Sequence, residues 1–180
     1  RTRPAHVDVF YSYNDITVAD YELMIAVTPF RYPDAGIQTI YYHPAVLHLG
    51  VGCRKNCNPQ GISEYISAVL QAENIALESV KDISSIDIKK DEPLLKALQA
   101  HFHNLPVHIY TAEELKDIEV PNPSEKVEEV TTVGGVSEST AIKSANHGQL
   151  VLEKQKGKLS EGNDFTFALA IDNHAIRQGH

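Results

Sequence analysis

Hydrophobic and polar positions follow two different patterns along the chain, with the change near residue 45. Before it, short β-branched and aromatic runs alternate with polar residues: "HVDVFYSY", "YELMIAVTPF" and "IQTIYYHP". Between the last two, "RYPDAG" carries a turn signature in Pro33 and Gly36. Residues 1–44 therefore read as a strand-and-loop segment without a complete core of its own.

From Ala45 onward, apolar runs alternate with helical patterns. "AVLHLGVG" predicts a buried strand, and "GISEYISAVLQAENI" sets Ile62, Ile66, Val69 and Leu70 on one helical face, with Pro59 suited to the first helical position. "ISSIDI" predicts a second strand. "DEPLLKALQAHFH" predicts a helix capped by Asp91, with Leu94, Leu95, Leu98 and Phe102 on its buried side. "PVHIYT" predicts a third strand, after which Thr111 and Glu114 have capping-box spacing. Beyond Pro121 and Pro123, "SEKVEEV" reads as a short helix capped by Ser124, and "VSESTAIKSAN" as another, ended by Asn146 and Gly148. "QLVLEK" and "FTFALAI" predict two closing strands around the loop "QKGKLSEGND".

This alternation predicts an α/β fold, a three-layer α/β/α sandwich whose sheet is mostly parallel and made mixed by the closing pair. The domain spans 45–172, and the polar tail 173–180 is expected to fray.

Composition narrows the function classes. With 180 residues, 42% hydrophobic, 22% charged and a net charge of −8, the chain has the makeup of a soluble globular protein. The acidic balance argues against nonspecific attraction to nucleic acid or anionic lipid, so anion binding would need a local cation cluster. No apolar run approaches the length of a bilayer span, and two cysteines are too few for a disulfide scaffold. The expected location is the cytoplasm, with no nucleic-acid or membrane partner.

The chemistry concentrates in "LGVGCRKNCNPQGISEYI", the predicted corner between the first buried strand and its helix. Ligands of open α/β sheets gather beyond the carboxyl ends of the strands. There Gly50 and Gly52 would admit close backbone approach, the helix start would offer N–H groups, and Arg54 and Lys55 would add charge. The same glycines and cations are also compatible with a plain turn and a wet surface. The dinucleotide and P-loop fingerprints are both incomplete, so a nucleotide-phosphate binder is retained only as an alternative.

Cys53 and Cys57 form a C-x3-C pair without a nearby second pair of metal ligands. Cys53 next to Arg54 has features of a nucleophile, but the adopted reading is a buried, inert thiol, and no metal is assigned to the protein.

A second corner, "SIDIKKDEPLL", holds Asp87, Lys89, Asp91 and Glu92. Asp91 as N-cap and Glu92 in the first turn have structural reasons to be there, whereas Lys89 has none. If the strands are adjacent and parallel, Lys89 and Arg54 share one edge. Glu138, after Gly134 and Gly135, is expected at the same rim, and Lys154 and Lys156 either extend the cation set or solvate a loop. His101 and His103 are spaced wrongly for one helical face.

In order, "GVGCRKN", "IDIKKDEPLL", "TAEEL", "VPNPSEKV", "GGVSESTA", "KQKG" and "FTFALA" resemble the cobalamin-biosynthesis family CbiG/CobE, in its C-terminal domain, over about residues 44–172. The resemblance implies an α/β/α domain acting on a corrin-ring intermediate that bears acetate and propionate arms. It implies a substrate-binding set of Gly50, Gly52, Cys53, Arg54, Lys89 and Lys154, with Asp91 and Glu138 as proton-transfer groups. Longer members are associated with hydrolysis of cobalt-precorrin-5A, in which a ring lactone opens and acetaldehyde leaves. No cofactor is expected on the protein, because any cobalt arrives inside the precorrin or cobalt-precorrin. The alternative is a noncatalytic carrier that passes the macrocycle between neighbouring enzymes of the pathway. Asn56 stands where the family uses glycine, and Ser139 and Thr140 where it tends to use alanines. Residues 1–44 resemble the end of the family's middle region.

Overall fold

The computed structural model describes residues 4–54, 56–87, 91–123, 136–160 and 163–178. The expected helix over 124–130, and Lys55, Lys89, Gly134 and Gly135, lie outside the described residues.

The N-terminal segment forms a two-stranded parallel sheet of β1 (Leu23–Val27) and β2 (Gln38–Tyr42), paired in register from Leu23 with Gln38 to Val27 with Tyr42. "HVDVFYSY" belongs to the loops of this segment, and its end enters a 3-10 turn at Tyr13–Asp15. Between β1 and β2, Gly36 has φ 75° and donates its N–H to Asp34 Oδ1 at 2.9 Å, which is the turn that "RYPDAG" predicts. Leu23, Ile25 and Val27, with Ile40 and Tyr42, remain exposed on this small sheet. The segment is tied to the main domain by a bridge between Phe30 and Ile75 and by the Arg31–Glu78 ion pair.

The main sheet has the order β5-β4-β3-β7-β6. β3 (Leu47–Cys53), β4 (Val80–Ile86) and β5 (Val107–Tyr110) run parallel; β7 (Asp164–Ile171) is antiparallel to β3, and β6 (Gln149–Lys158) is antiparallel to β7. β3 lies between two partners and is buried at all seven residues, as a continuous apolar run should be.

Alternation along β3 separates the two layers. Leu47, Leu49, Val51 and Cys53 join a core with Ile62, Ile66 and Leu70 of α1 (Ile62–Ala72), Leu94, Leu95 and Leu98 of α2 (Pro93–His101), and Phe165 and Phe167 of β7. Each fully buried aliphatic side chain there contributes about 1.5–3 kcal/mol. The opposite face is lined by small residues, among them Gly50, Ser84, Ala168 and Ala170, and receives α4 (Val136–Ser144). α3 (Ala112–Leu115) opens with the expected capping box, in which Thr111 Oγ1 accepts the Glu114 N–H and Glu114 accepts the Thr111 N–H. The Thr111 N–H and then its hydroxyl, both donating to Glu114 Oε2, hold the Glu114 carboxyl below its ordinary pKa.

Several boundaries differ from expectation. Gly61, at φ 81°, is the N-cap of α1, while Pro59 sits in the preceding loop and its carbonyl accepts the Ile62 N–H. Glu92 rather than Asp91 is the N-cap of α2, because Pro93 occupies the first turn. β6 continues through "QKGK", which was expected as loop. The reason is Gly157, which pairs with Phe165: a Cβ there would lie 2.2 Å from the Phe165 ring, so the aromatic covers the bare backbone. The tail does not simply fray, since Asn173–Gln178 forms α5 and Asp172 Oδ1 accepts the His174 N–H at its start.

Candidate functional site at the carboxyl edge of the sheet

β3, β4 and β5 end at one edge, and two side-chain groups form there on opposite faces. On the α1–α2 face, Cys53 ends β3, and the chain then turns through Arg54–Cys57, closed by a Cys57 N–H to Arg54 carbonyl hydrogen bond of 3.1 Å. Asn56 takes the left-handed conformation, φ 57°, which glycine adopts most readily. Its N–H points at both oxygens of Glu92, each at 2.8 Å. Cys53, Cys57 and Glu92 are 3%, 3% and 4% exposed, and their sulfurs and carboxylate oxygen lie within 4.8 Å of one another.

The second group lies on the α4 face. Glu138, in the first turn of α4 and 1% exposed, accepts from the Asn122 N–H, the Asn122 side-chain amide and the Lys154 N–H, all at 3.0 Å. Lys154 Nζ donates to the Asn122 carbonyl at 2.9 Å. Two hydroxyls of the buried, polar α4 bond back to its own backbone: Thr140 Oγ1 donates to the Val136 carbonyl at 2.7 Å and Ser139 Oγ to the same carbonyl at 3.2 Å. The Ser139 and Thr140 hydroxyls are therefore both paired.

Arg54, directly after β3, has its side chain 61% exposed and its Nε 3.3 Å from Asp164 Oδ2 at the start of β7. Asp91 is exposed beside α2. Gly52 is buried in β3 opposite Thr166. Gly50 has a different purpose from close approach to a ligand: a Cβ there would fall 1.9 Å from the Ser137 carbonyl, so the glycine exists to seat α4 on the sheet. Lys154 is half-buried and committed to the 121–123 loop rather than extended toward solvent, whereas Lys156 is exposed.

Two features escaped the sequence reading. Glu92, taken as a first-turn charge, is the buried member of the first group, and Pro93 was the signal that made it the N-cap. The other is a charged cluster at the opposite end of β3. His48 Nδ1 lies 2.9 Å from both Asp82 oxygens and Nε2 3.3 Å from Asp172, while His108 Nε2 is 3.4 Å from Asp82. Burial alone would raise the Asp172 carboxyl; hydrogen bonds from the His174 N–H and the Asn146 amide, with the attraction of His48, outweigh it and hold the pKa below the usual value. Its members come together only through strand register, which no local pattern in the sequence encodes. One open depression of about 400 Å³, between the start of α1 and the end of α2, is lined by Asn58, Gly61, Ser63, Glu64, Ala97 and His101. It presents a carboxylate and no lysine or arginine, so it does not suit a polyanion.

The family model described as "Cobalamin synthesis G C-terminus" (CbiG_C) matches residues 47–170. The chain belongs to this family. Its role is accordingly in cobalamin biosynthesis. A cobalt-precorrin-5A hydrolase from Priestia megaterium is 32% identical over 117 residues, which cover 65% of this chain and 31% of the hydrolase. The match therefore spans about a third of that relative's length. Protein CobE from Sinorhizobium sp. is 30% identical over 114 residues, covering 62% of this chain and 73% of CobE. Among solved structures, CobE from the cobalamin pathway superposes with a TM-score of 0.60 at 26% identity, covering 71% of this chain and 91% of CobE. A cobalamin biosynthesis protein G homolog from Sulfolobus solfataricus shares the fold at a TM-score of 0.53 and 19% identity, covering 84% of this chain and 44% of its own. Among the described residues, no helix is long and apolar enough to cross a membrane.

Proposed function

We propose that this CbiG-type domain holds a carboxylate-bearing corrin intermediate across the carboxyl edge of its sheet, and that within a cobalt-precorrin-5A hydrolase this edge takes part in lactone opening. The observation that carries the reading is the exposed Arg54 guanidinium at the end of β3, on a chain whose net charge of −8 supplies no general attraction for a polyanion. A planar guanidinium pairs with a carboxylate through two parallel N–H donors. Lys89 is assigned to a second arm of the macrocycle. Lys154 acts through its place in the Asn122–Glu138 network, and Gly52 and Cys53 form the wall behind the rim.

The two carboxylates divide the remaining work. Asp91 is exposed and free to accept a proton from water attacking the lactone carbonyl, or from the alcohol that opening releases. Loss of that alcohol proton lets the adjacent C–C bond break, so that the two-carbon fragment leaves as acetaldehyde. Glu138, sealed among three donors, is a positioning residue that fixes Lys154 and the 121–123 loop.

A carrier reading is favoured by a separate observation: the chain covers 91% of the CobE structure but only 31% of the hydrolase, so relatives of about this domain's size exist. Anaerobic incubation with cobalt-precorrin-5A separates the two. Acetaldehyde release that is lost in Asp91→Asn supports hydrolysis; tight binding without release supports the carrier; no binding at all overturns both.

A further inference from the structure

We propose that Cys53, Cys57 and Glu92 form a site for one thiophilic divalent cation, with zinc the best match. The inference goes beyond the corrin reading and does not depend on it. Their ligand atoms already lie within 4.8 Å of one another and all three residues are buried. In a tetrahedral zinc site, bonds of about 2.3 Å to sulfur and about 2.0 Å to oxygen put neighbouring ligand atoms roughly 3.5–3.8 Å apart. Ligand atoms already within 4.8 Å of one another are close to that spacing.

The surrounding structure is built to hold these groups in place. Cys53 is fixed by β3, with its ladder to β7 pairing it to Phe165. Cys57 is fixed by the turn that its N–H closes on Arg54. Glu92 is set at the α2 N-cap by Pro93, and the Asn56 N–H, available because that residue is left-handed, orients its carboxylate. Hydrogen bonds to a ligating carboxylate serve the same purpose in metal sites, where they fix ligand direction and raise affinity. The sequence alone shows only C-x3-C. The third ligand lies 35 residues further along and is delivered by the packing of α2 against the β3–α1 loop. Three protein ligands leave the fourth position for water, the arrangement of an open rather than a closed zinc site.

Two thiolates and a carboxylate also determine which cation fits. Magnesium and calcium prefer all-oxygen shells, whereas zinc accepts mixed sulfur and oxygen donors. Binding requires both thiols to lose their protons, so affinity should rise with pH through the thiol range.

The test is titration of the reduced, metal-free chain with Zn²⁺ alone, in competition with a chromophoric chelator, repeated with Cd²⁺ to read thiolate-to-metal absorption in the ultraviolet. The expected result is one equivalent per chain and a cadmium band that needs both cysteines. Cys53→Ala and Cys57→Ala should each weaken zinc by more than the roughly 10–100-fold typical of losing an outer-sphere partner. Glu92→Gln, which keeps an acceptor for the Asn56 N–H, should weaken zinc while leaving the metal-free unfolding midpoint near wild type, which separates lost ligation from lost folding. Failure of the reduced chain to bind a stoichiometric equivalent, or wild-type zinc affinity in Glu92→Gln or in Cys57→Ala, would overturn the assignment. The metal titrations use Zn²⁺ and Cd²⁺ alone, so their outcome is read separately from corrin binding by the Arg54 and Lys89 variants.

Discussion

Replacing Gly50 by alanine tests whether this glycine serves helix packing or a ligand. The added Cβ would meet the Ser137 carbonyl at 1.9 Å, Thr140 Oγ1 at 2.7 Å and the Ala141 nitrogen at 2.9 Å. Two of these are backbone atoms of a helix buried along its first turns, so no flexible side-chain end can swing away. An ordinary contact lies near about 3.5 Å, which requires α4 to retreat by about 1.6 Å and opens gaps along its contact with β3, β4 and β7. Overpacking of this kind costs about 1–3 kcal/mol, and a clash with backbone belongs at the upper end. For a domain of this size each kcal/mol lowers Tm by about 2–4 °C, so Gly50→Ala should melt about 6–12 °C below wild type, with a matching fall in the urea midpoint. A variant melting within about 2 °C of wild type would refute the packing argument and return Gly50 to the ligand-facing role.

Other substitutions probe separate parts of the structure. Glu138→Gln places an amide donor among the Asn122 and Lys154 donors and should cost about 1–3 kcal/mol in urea unfolding; an unchanged midpoint would remove the proposed positioning role. Because folding lowers the Asp172 pKa, its contribution is complete above the ordinary aspartate value of about 4 and is lost as pH falls through the lower folded value. Urea midpoints should therefore drop more steeply with acid in wild type than in Asp172→Asn, and parallel curves would contradict this. Gly157→Ala should destabilise by displacing Phe165, by less than Gly50→Ala because the atom met first is the far end of a ring.

Most of the architecture was legible locally. The βαβ rhythm, the buried run of β3, the four-residue spacing of Ile62, Ile66 and Leu70 along one helical face, and the Thr111–Glu114 box each follow from a pattern within a few residues. The errors arose where two distant segments decide the outcome. Gly157 looked like loop punctuation because the Phe165 ring that covers it belongs to the next strand. Gly50 looked like a ligand-facing residue because α4, which needs the space, begins 86 residues later. The site was legible in part: Arg54 does stand at the rim, and Asn56 does take the left-handed backbone its position requires. Glu92 took the cap expected of Asp91 and is buried, while Asp91 lies exposed before the helix, because Pro93 defines the cap. The His48–Asp82–Asp172 cluster depends on the register of three strands, and hydrophobic periodicity carries no information about register.

The central claim is that the carboxyl edge of the sheet is a cationic rim for a polycarboxylate corrin intermediate. Its most direct test is anaerobic calorimetry of cobalt-precorrin-5A binding to wild type and to the Arg54→Ala/Lys89→Ala double variant, after unfolding curves show that the variant is folded. The account predicts affinity at least about tenfold weaker in the double variant, a loss of about 1.4 kcal/mol, and a shallower salt dependence than wild type. Equal affinity and equal salt dependence in a folded double variant would contradict it.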